Sequence, residues 1–262
     1  MPVITSHDGT PIDVEVTGPE NAPVLLLSSS LGTTKHMWDP QMSAFAANYR
    51  VVRYDRRGHG KSGVPKGPYN MEMLARDAIA VMDGLGLKTA NWLGLSMGGM
   101  EGMWLGANAP DRIEKLILSN TSTYYADKTP WETRIKTVTE GGSVKAIADT
   151  VINAWLTQNF QKNNPAETAR MKEMMIATPV EGYISCCAAV RDMDHREIIK
   201  GITVPTLIIA GAKDMATNVE AAEFIRDRIK GSKLAIVDGA HIANVEQPEA
   251  YTKEVLEFLS AK

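Results

Sequence analysis

Two periodicities alternate along the chain. Apolar runs bounded by turn formers recur at Val24–Leu27, Arg50–Asp55, Asn91–Leu93, Ile113–Leu118, Thr206–Ala210 and Leu234–Val237. Continuous apolar runs of this length suit strands buried on both faces. Between them the spacing becomes helical: Leu74, Ala78, Val81, Met82 and Leu85 line one face of Met71–Leu85. Trp38–Ala47, Val219–Ile229 and Pro248–Ser260 are also predicted as helices, the last with its proline at a favourable first turn. Val3–Thr5 and Ile12–Val16 alternate about Asp8-Gly9 and predict an N-terminal hairpin. Strand and helix in alternation imply an α/β fold, with a mostly parallel sheet covered by helices on both faces.

The alternation breaks once. From Tyr125 to Asp194 no strand-like run occurs, and helical segments follow one another at Glu132–Glu140, Val144–Leu156, Ala166–Met175 and Glu181–Arg191. Pro130, Gly141-Gly142, Pro165 and Pro179 separate them. The pattern predicts a core made of residues 1–124 and 195–262, interrupted by a helical cap at 125–194.

Composition changes this picture little. At 262 residues, 44% apolar and 23% charged, the chain has enough material for a substantial core without staples. A net charge of −3 gives no reason to expect nucleic acid or an anionic membrane as partner. No apolar run approaches the roughly 20 residues of a membrane span. The first residues lack a basic region followed by an apolar one, so no export signal is expected. The two cysteines, Cys186 and Cys187, are neighbours that can neither staple a loop nor supply metal spacing, and they read as small buried side chains. Reduced thiols without an export signal suit the cytoplasm. No cofactor or metal is expected: Gly94–Gly99 lacks the dinucleotide glycine pattern, and no paired His/Cys spacing occurs.

The chemistry gathers at Gly94-Leu95-Ser96-Met97-Gly98, between an apolar strand and the start of a helix. There the pattern reads as a nucleophile elbow, a sharp strand-to-helix turn that lifts the serine hydroxyl above the sheet edge. A serine needs a positioned base. Among His7, His36, His59, His195 and His241, only His241 follows a late strand, at the carboxyl edge where open parallel sheets bind ligands. His59 reads as a residue that structures its glycine-rich turn. Asp214, in the loop after Thr206–Ala210, is the carboxylate expected to orient the base. The strand before the insertion ends in Ser119-Asn120-Thr121 and offers none. Backbone N–H groups of Met97 and of Leu31, in the loop after Leu27, are the expected oxyanion donors.

These residues together resemble the α/β-hydrolase superfamily, and the resemblance covers nearly the whole chain. It includes the hairpin, Asp55-Arg56-Arg57-Gly58-His59-Gly60-Lys61-Ser62, the elbow, the cap, and the Asp214 and His241 loops. Within it the chain is similar to the 3-oxoadipate enol-lactonases of the β-ketoadipate pathway. Ser29-Ser30-Leu31-Gly32-Thr33, Trp131-Glu132-Thr133-Arg134, Cys187-Ala188-Ala189-Val190-Arg191-Asp192 and Ala240-His241-Ile242-Ala243-Asn244-Val245-Glu246-Gln247-Pro248 carry that similarity. It implies a small lactone with a carboxylate arm as substrate. Arg134 and Arg191 are then the candidate grips for that arm, with Trp131 and Trp155 as candidate pocket walls. The alternatives are a broad carboxylesterase, a C–C bond hydrolase, a cofactor-free perhydrolase, or a ligand receptor on the same fold. The oligomeric state is open. So is the role of Glu101, a carboxylate on an otherwise apolar helix, which must either find a donor or reach solvent.

Overall fold

The computed structural model describes residues 2–261. Eight strands form one sheet: β1 Val3–Thr5, β2 Pro11–Thr17, β3 Val24–Ser28, β4 Arg50–Tyr54, β5 Ala90–Leu95, β6 Ile113–Ser119, β7 Thr206–Gly211 and β8 Lys233–Val237. Their order is β1-β2-β4-β3-β5-β6-β7-β8. The first two strands join antiparallel, and every pairing from β4 to β8 is parallel. The continuous apolar runs are explained by the pleat. Leu25, Leu27, Leu93, Leu95, Ile117 and Ile209 enter the core on one face, and their neighbours Leu26, Trp92, Leu116, Leu118 and Ile208 enter the core on the other.

Helices α1 Asp39–Ala46, α2 Met71–Gly84 and α3 Met97–Asn108 follow the early strands. Between β6 and β7 come α4 Thr129–Gly141, α5 Ala148–Trp155, α6 Gln158–Asn163, α7 Pro165–Ile176 and α8 Val180–Asp192. The chain then adds α9 Val219–Arg226, α10 Ala243–Glu246 and α11 Pro248–Ser260. The insertion leaves and rejoins the sheet through a narrow neck, where Tyr124 and Asp194 form an isolated antiparallel bridge.

Two expected helices are divided. Val144–Leu156 is a short 3-10 turn over Val144–Ile147, capped by the Ser143 side chain, and then α5. Trp38–Ala47 begins as a 3-10 turn over Lys35–Trp38 before α1. Helix α6 has no apolar periodicity to announce it, and Thr157 caps its start by accepting from the Phe160 N–H.

The insertion is seated on the core by close backbone contact. A Cβ on Gly182 of α8 would lie 2.0 Å from the Gly58 carbonyl oxygen, so only glycine permits this approach. Nearby, Gly67 N–H donates to the Glu181 carboxylate at 2.8 Å. Cys186 and Cys187 are free and fully buried on the same helix. Burial pushes both thiols up, that of Cys187 to about 12. Among the described residues no helix is long and apolar enough to cross a membrane.

Candidate active site

Strand β5 delivers Ser96 to the carboxyl edge of the sheet, and α3 begins at the next residue. The turn between them is strained: Ser96 has φ 57° and ψ −112°, a region non-glycine residues rarely occupy. The flanking glycines are a steric requirement. A Cβ on Gly94 would sit 2.0 Å from the Gly98 carbonyl oxygen, and one on Gly98 would sit 2.3 Å from that of Ser28. The backbone is pinned as well, with Ser96 N–H donating to the Ser119 carbonyl at 2.8 Å and the Thr121 hydroxyl donating to the Ser96 carbonyl at 2.8 Å.

The loops after β7 and β8 bring two distant side chains to this serine. Ser96 Oγ lies 2.9 Å from His241 Nε2, and His241 Nδ1 lies 2.9 Å from Asp214 Oδ2. The network assigns the protons: Nδ1–H donates to the carboxylate, leaving Nε2 to accept from the serine. Asp214 is itself held by the Ala216 and Thr217 N–H groups at 2.8 and 3.0 Å and by the Thr217 hydroxyl at 2.6 Å. Asn120 Nδ2 adds a donor at 3.1 Å. Burial alone would raise the Asp214 carboxyl. The charge and hydrogen bond of His241, with Thr217, outweigh that and hold it well below the usual carboxylate range. An anion beside Nδ1 is placed where it can stabilise an imidazolium.

The two expected oxyanion donors flank the serine. Met97 opens α3, where the first N–H groups have no intrahelical acceptor. Among the described residues the Leu31 N–H makes no backbone hydrogen bond. Its loop is held by His59, whose Nε2 accepts from the Gly32 N–H at 3.0 Å. His59 is fully buried, and burial together with the Arg56 charge lowers its pKa to about 3, so it stays the neutral acceptor this contact needs.

Glu101 neither reaches solvent nor stays unpaired. It is 0% exposed and receives Arg56 Nε at 2.5 Å, Ser28 Oγ at 2.5 Å and Tyr54 OH at 3.2 Å. Arg56 Nη2 continues to the Ser29 carbonyl at 2.8 Å, so the pair braces the loop that carries Leu31.

A cavity of about 300 Å³ opens onto Ser96, Leu31, Met97 and His241. Trp131, Arg134, Trp155 and Tyr183 of the insertion line its other side. Arg134 stacks on Trp131 with 4.8 Å between guanidinium carbon and ring centre, and Tyr125 meets the same ring edge-on. Arg191 requires correction: it does not line this cavity, because its guanidinium turns to Asp192, with contacts of 2.9 and 2.7 Å. Helical rotation places it on the outer side of α8. His7 and His36 lie away from the cavity, and His195 sits buried at the neck, donating its N–H to Thr123. Sequence reasoning passed over Tyr125, Asn120 and Thr217. The signal for the first two was their place just after β6, at the same carboxyl edge as Ser96.

The arrangement suits acyl transfer, with a serine hydroxyl, an imidazole, a carboxylate and backbone N–H groups gathered around one cavity. The model of the α/β hydrolase fold family matches residues 23–248. The 3-oxoadipate enol-lactonase 2 of Acinetobacter baylyi is 37% identical over 238 residues, covering 91% of this chain and 89% of its own. The crystal structure of the enol-lactonase from Burkholderia xenovorans LB400 superposes with a TM-score of 0.97 at 38% identity, over 99% of this chain and 100% of that one. A thermophilic esterase from Thermogutta terrifontis, solved with malate bound, has a TM-score of 0.90 at 26% identity, over 98% and 97% of the two chains. With a family match that runs from β3 through the elbow to the histidine loop, the chain belongs to the α/β-hydrolase fold family, and it is a hydrolase.

Proposed function

We propose that this hydrolase opens a small carboxylate-bearing lactone, 3-oxoadipate enol-lactone to 3-oxoadipate, through an acyl-enzyme on Ser96. The observation that carries the reading is Arg134, the one arginine or lysine among the residues lining the Ser96 cavity. The name of the Acinetobacter relative supports the same substrate, and that of the Burkholderia structure supports an enol-lactone as the class.

In this reading Ser96 Oγ attacks the lactone carbonyl while His241 Nε2 takes its proton. The N–H groups of Leu31 and Met97 hold the oxyanion. The ring C–O bond then breaks, and His241 returns the proton to the departing enol oxygen. Water, deprotonated by His241, releases the acyl group from Ser96, and the enol settles to the ketone. Asp214 keeps the imidazole oriented throughout. Arg134 grips the carboxylate arm, Trp131 and Trp155 wall the ring, and residues 125–194 act as the cap that selects the substrate.

The test compares two substrates. Charge-assisted hydrogen bonds to a carboxylate are worth about 1.5–3 kcal/mol. Arg134→Ala is therefore expected to lower kcat/KM for the enol-lactone about 10–150-fold, while p-nitrophenyl acetate turnover changes little. Equal losses on both substrates, or no turnover of the lactone by the unaltered enzyme, overturn the proposal. A broad carboxylesterase is the second reading, favoured by the likeness to the Thermogutta esterase; it predicts that the neutral ester is the better substrate.

A further inference from the structure

Glu246 stands at the junction of insertion and base loop. It closes α10, is buried, and directs its carboxylate between the two. One oxygen accepts from the Thr157 hydroxyl. The other accepts from the Ala240 N–H at 2.9 Å and from the Thr157 N–H at 3.4 Å. Ala240 is the residue immediately before His241. On the other side of the histidine, Ile242 N–H donates to the Trp155 carbonyl at 3.0 Å. The turn Trp155–Thr157, which joins α5 to α6, therefore holds the backbone after His241 directly through the Trp155 carbonyl and the backbone before it through the Glu246 carboxylate. The same turn supplies Trp155 to the cavity wall.

We infer that Glu246 is a positioning residue that clasps the His241 loop to the substrate-facing wall of the insertion and so keeps the imidazole in register with Ser96. The inference rests on the Ser96–His241–Asp214 reading above. Asp214 fixes the ring but not the peptide that carries it. Of the groups anchoring that peptide, Asn120 Nδ2 holds the Ala240 carbonyl at 3.1 Å from the sheet side. Glu246 and Trp155 hold it from the insertion side. A carboxylate suits this place because it accepts all three hydrogens, whereas an amide would present hydrogens of its own to one of the donors. Thr157 cannot swing away, since its hydroxyl oxygen also accepts from the Phe160 N–H at 3.2 Å.

The experiment measures kcat and KM for p-nitrophenyl acetate, with the initial burst of nitrophenol counting competent serines in each preparation. Glu246→Ala is expected to lower kcat per competent site about 10–100-fold, the scale of a small misplacement of a reacting group, with KM within about threefold. Thr157→Val is expected to lower kcat in the same direction, and to add little when combined with Glu246→Ala, because both cut one clasp. Glu246→Gln, which keeps an acceptor for Ala240, recovers part of the loss. If Glu246→Ala does not fold, Glu246→Gln and Thr157→Val decide the matter by the same kcat criterion. An unchanged kcat per competent site, or a loss wholly explained by fewer competent sites, overturns the inference. Ser96→Ala is run alongside: if it stays active, the triad reading has failed, and if it is dead while Glu246→Ala is normal, only the clasp has failed.

Discussion

Glu101→Ala removes the acidic half of an ion pair that water cannot reach. Arg56 is 3% exposed and Glu101 fully buried. In the variant Arg56 loses its partner at Nε, and its Nη1 already has no hydrogen-bond partner among the described residues. Breaking a buried pair from one side costs about 3–5 kcal/mol, because the remaining charge stays desolvated. Tyr54 also loses an acceptor at 3.2 Å. For a chain of this size, roughly 2–4 °C accompanies each kcal/mol, so Tm should fall on the order of 10 °C. Urea unfolding followed by tryptophan fluorescence, together with a thermal scan, measures both quantities. Glu101→Leu combined with Arg56→Leu is expected to recover much of the stability, since apolar replacement of a buried pair is often neutral. It should not recover kcat, because the Ser29 carbonyl keeps no guanidinium to hold the loop that carries Leu31 beside Ser96. A loss under about 1 kcal/mol for Glu101→Ala would refute the reasoning, since it would place the pair among solvent-screened ones.

Ser96→Ala should lower kcat by about 10⁴–10⁶ while leaving the urea midpoint unchanged; more than a tenth of the original activity contradicts its assignment as nucleophile. Acid sensitivity should begin well above the carboxylate range. The folded pKa of His59 is about 3 and that of His195 about 4, both lowered by burial from 6.5. Below pH 6.5 the unfolded chain takes up protons that the folded chain refuses, so stability falls as pH falls, by up to about 1.4 kcal/mol per pH unit for each histidine. His59→Asn should roughly halve that slope between pH 6.5 and 4, as read from urea midpoints, and an unaltered slope counts against a buried neutral His59. Below the ordinary Asp value of 3.8, Asp214 adds to the loss, because its folded pKa is depressed. Cys186 and Cys187 should resist a thiol reagent at pH 8 until the protein is unfolded, and rapid labelling of the native chain would contradict their burial.

The centre of the sheet was legible because β3, β5, β6 and β7 carry short apolar runs, and burial on both faces leaves few other readings. The expected run Ile113–Leu118 is β6 to within one residue. Helix boundaries were less secure where capping, rather than periodicity, decides them. Ser143 starts a 3-10 turn that gives way to α5 at Ala148 inside Val144–Leu156, and polar α6 owes its start to Thr157. The grouping of Ser96, Asp214 and His241 could be read in advance because all three follow strands of one parallel sheet, and such strands deliver their loops to a common edge.

Distances across the fold were decided only by tertiary structure. Glu101 could have faced water, and it is the approach of Arg56 from the loop after β4 that buries it as a pair. Arg134 and Arg191 are equivalent in the sequence, each a cation on an insertion helix. One turns onto Trp131 in the cavity and the other outward to Asp192, a choice set by how α4 and α8 are rotated against each other. Asn120, Thr217 and Glu246 carry ordinary polar side chains whose roles no spacing marks: Asn120 meets Asp214 94 residues away, Glu246 meets Thr157 89 residues away, and Thr217, which holds nearby Asp214, also reaches His241 24 residues on. A hydrogen bond forms between neighbours in space, and sequence periodicity records only which face of an element is apolar. The sequence by itself therefore determined the sheet, the elbow and the edge at which chemistry gathers. The packing of insertion on core determined which side chains meet there.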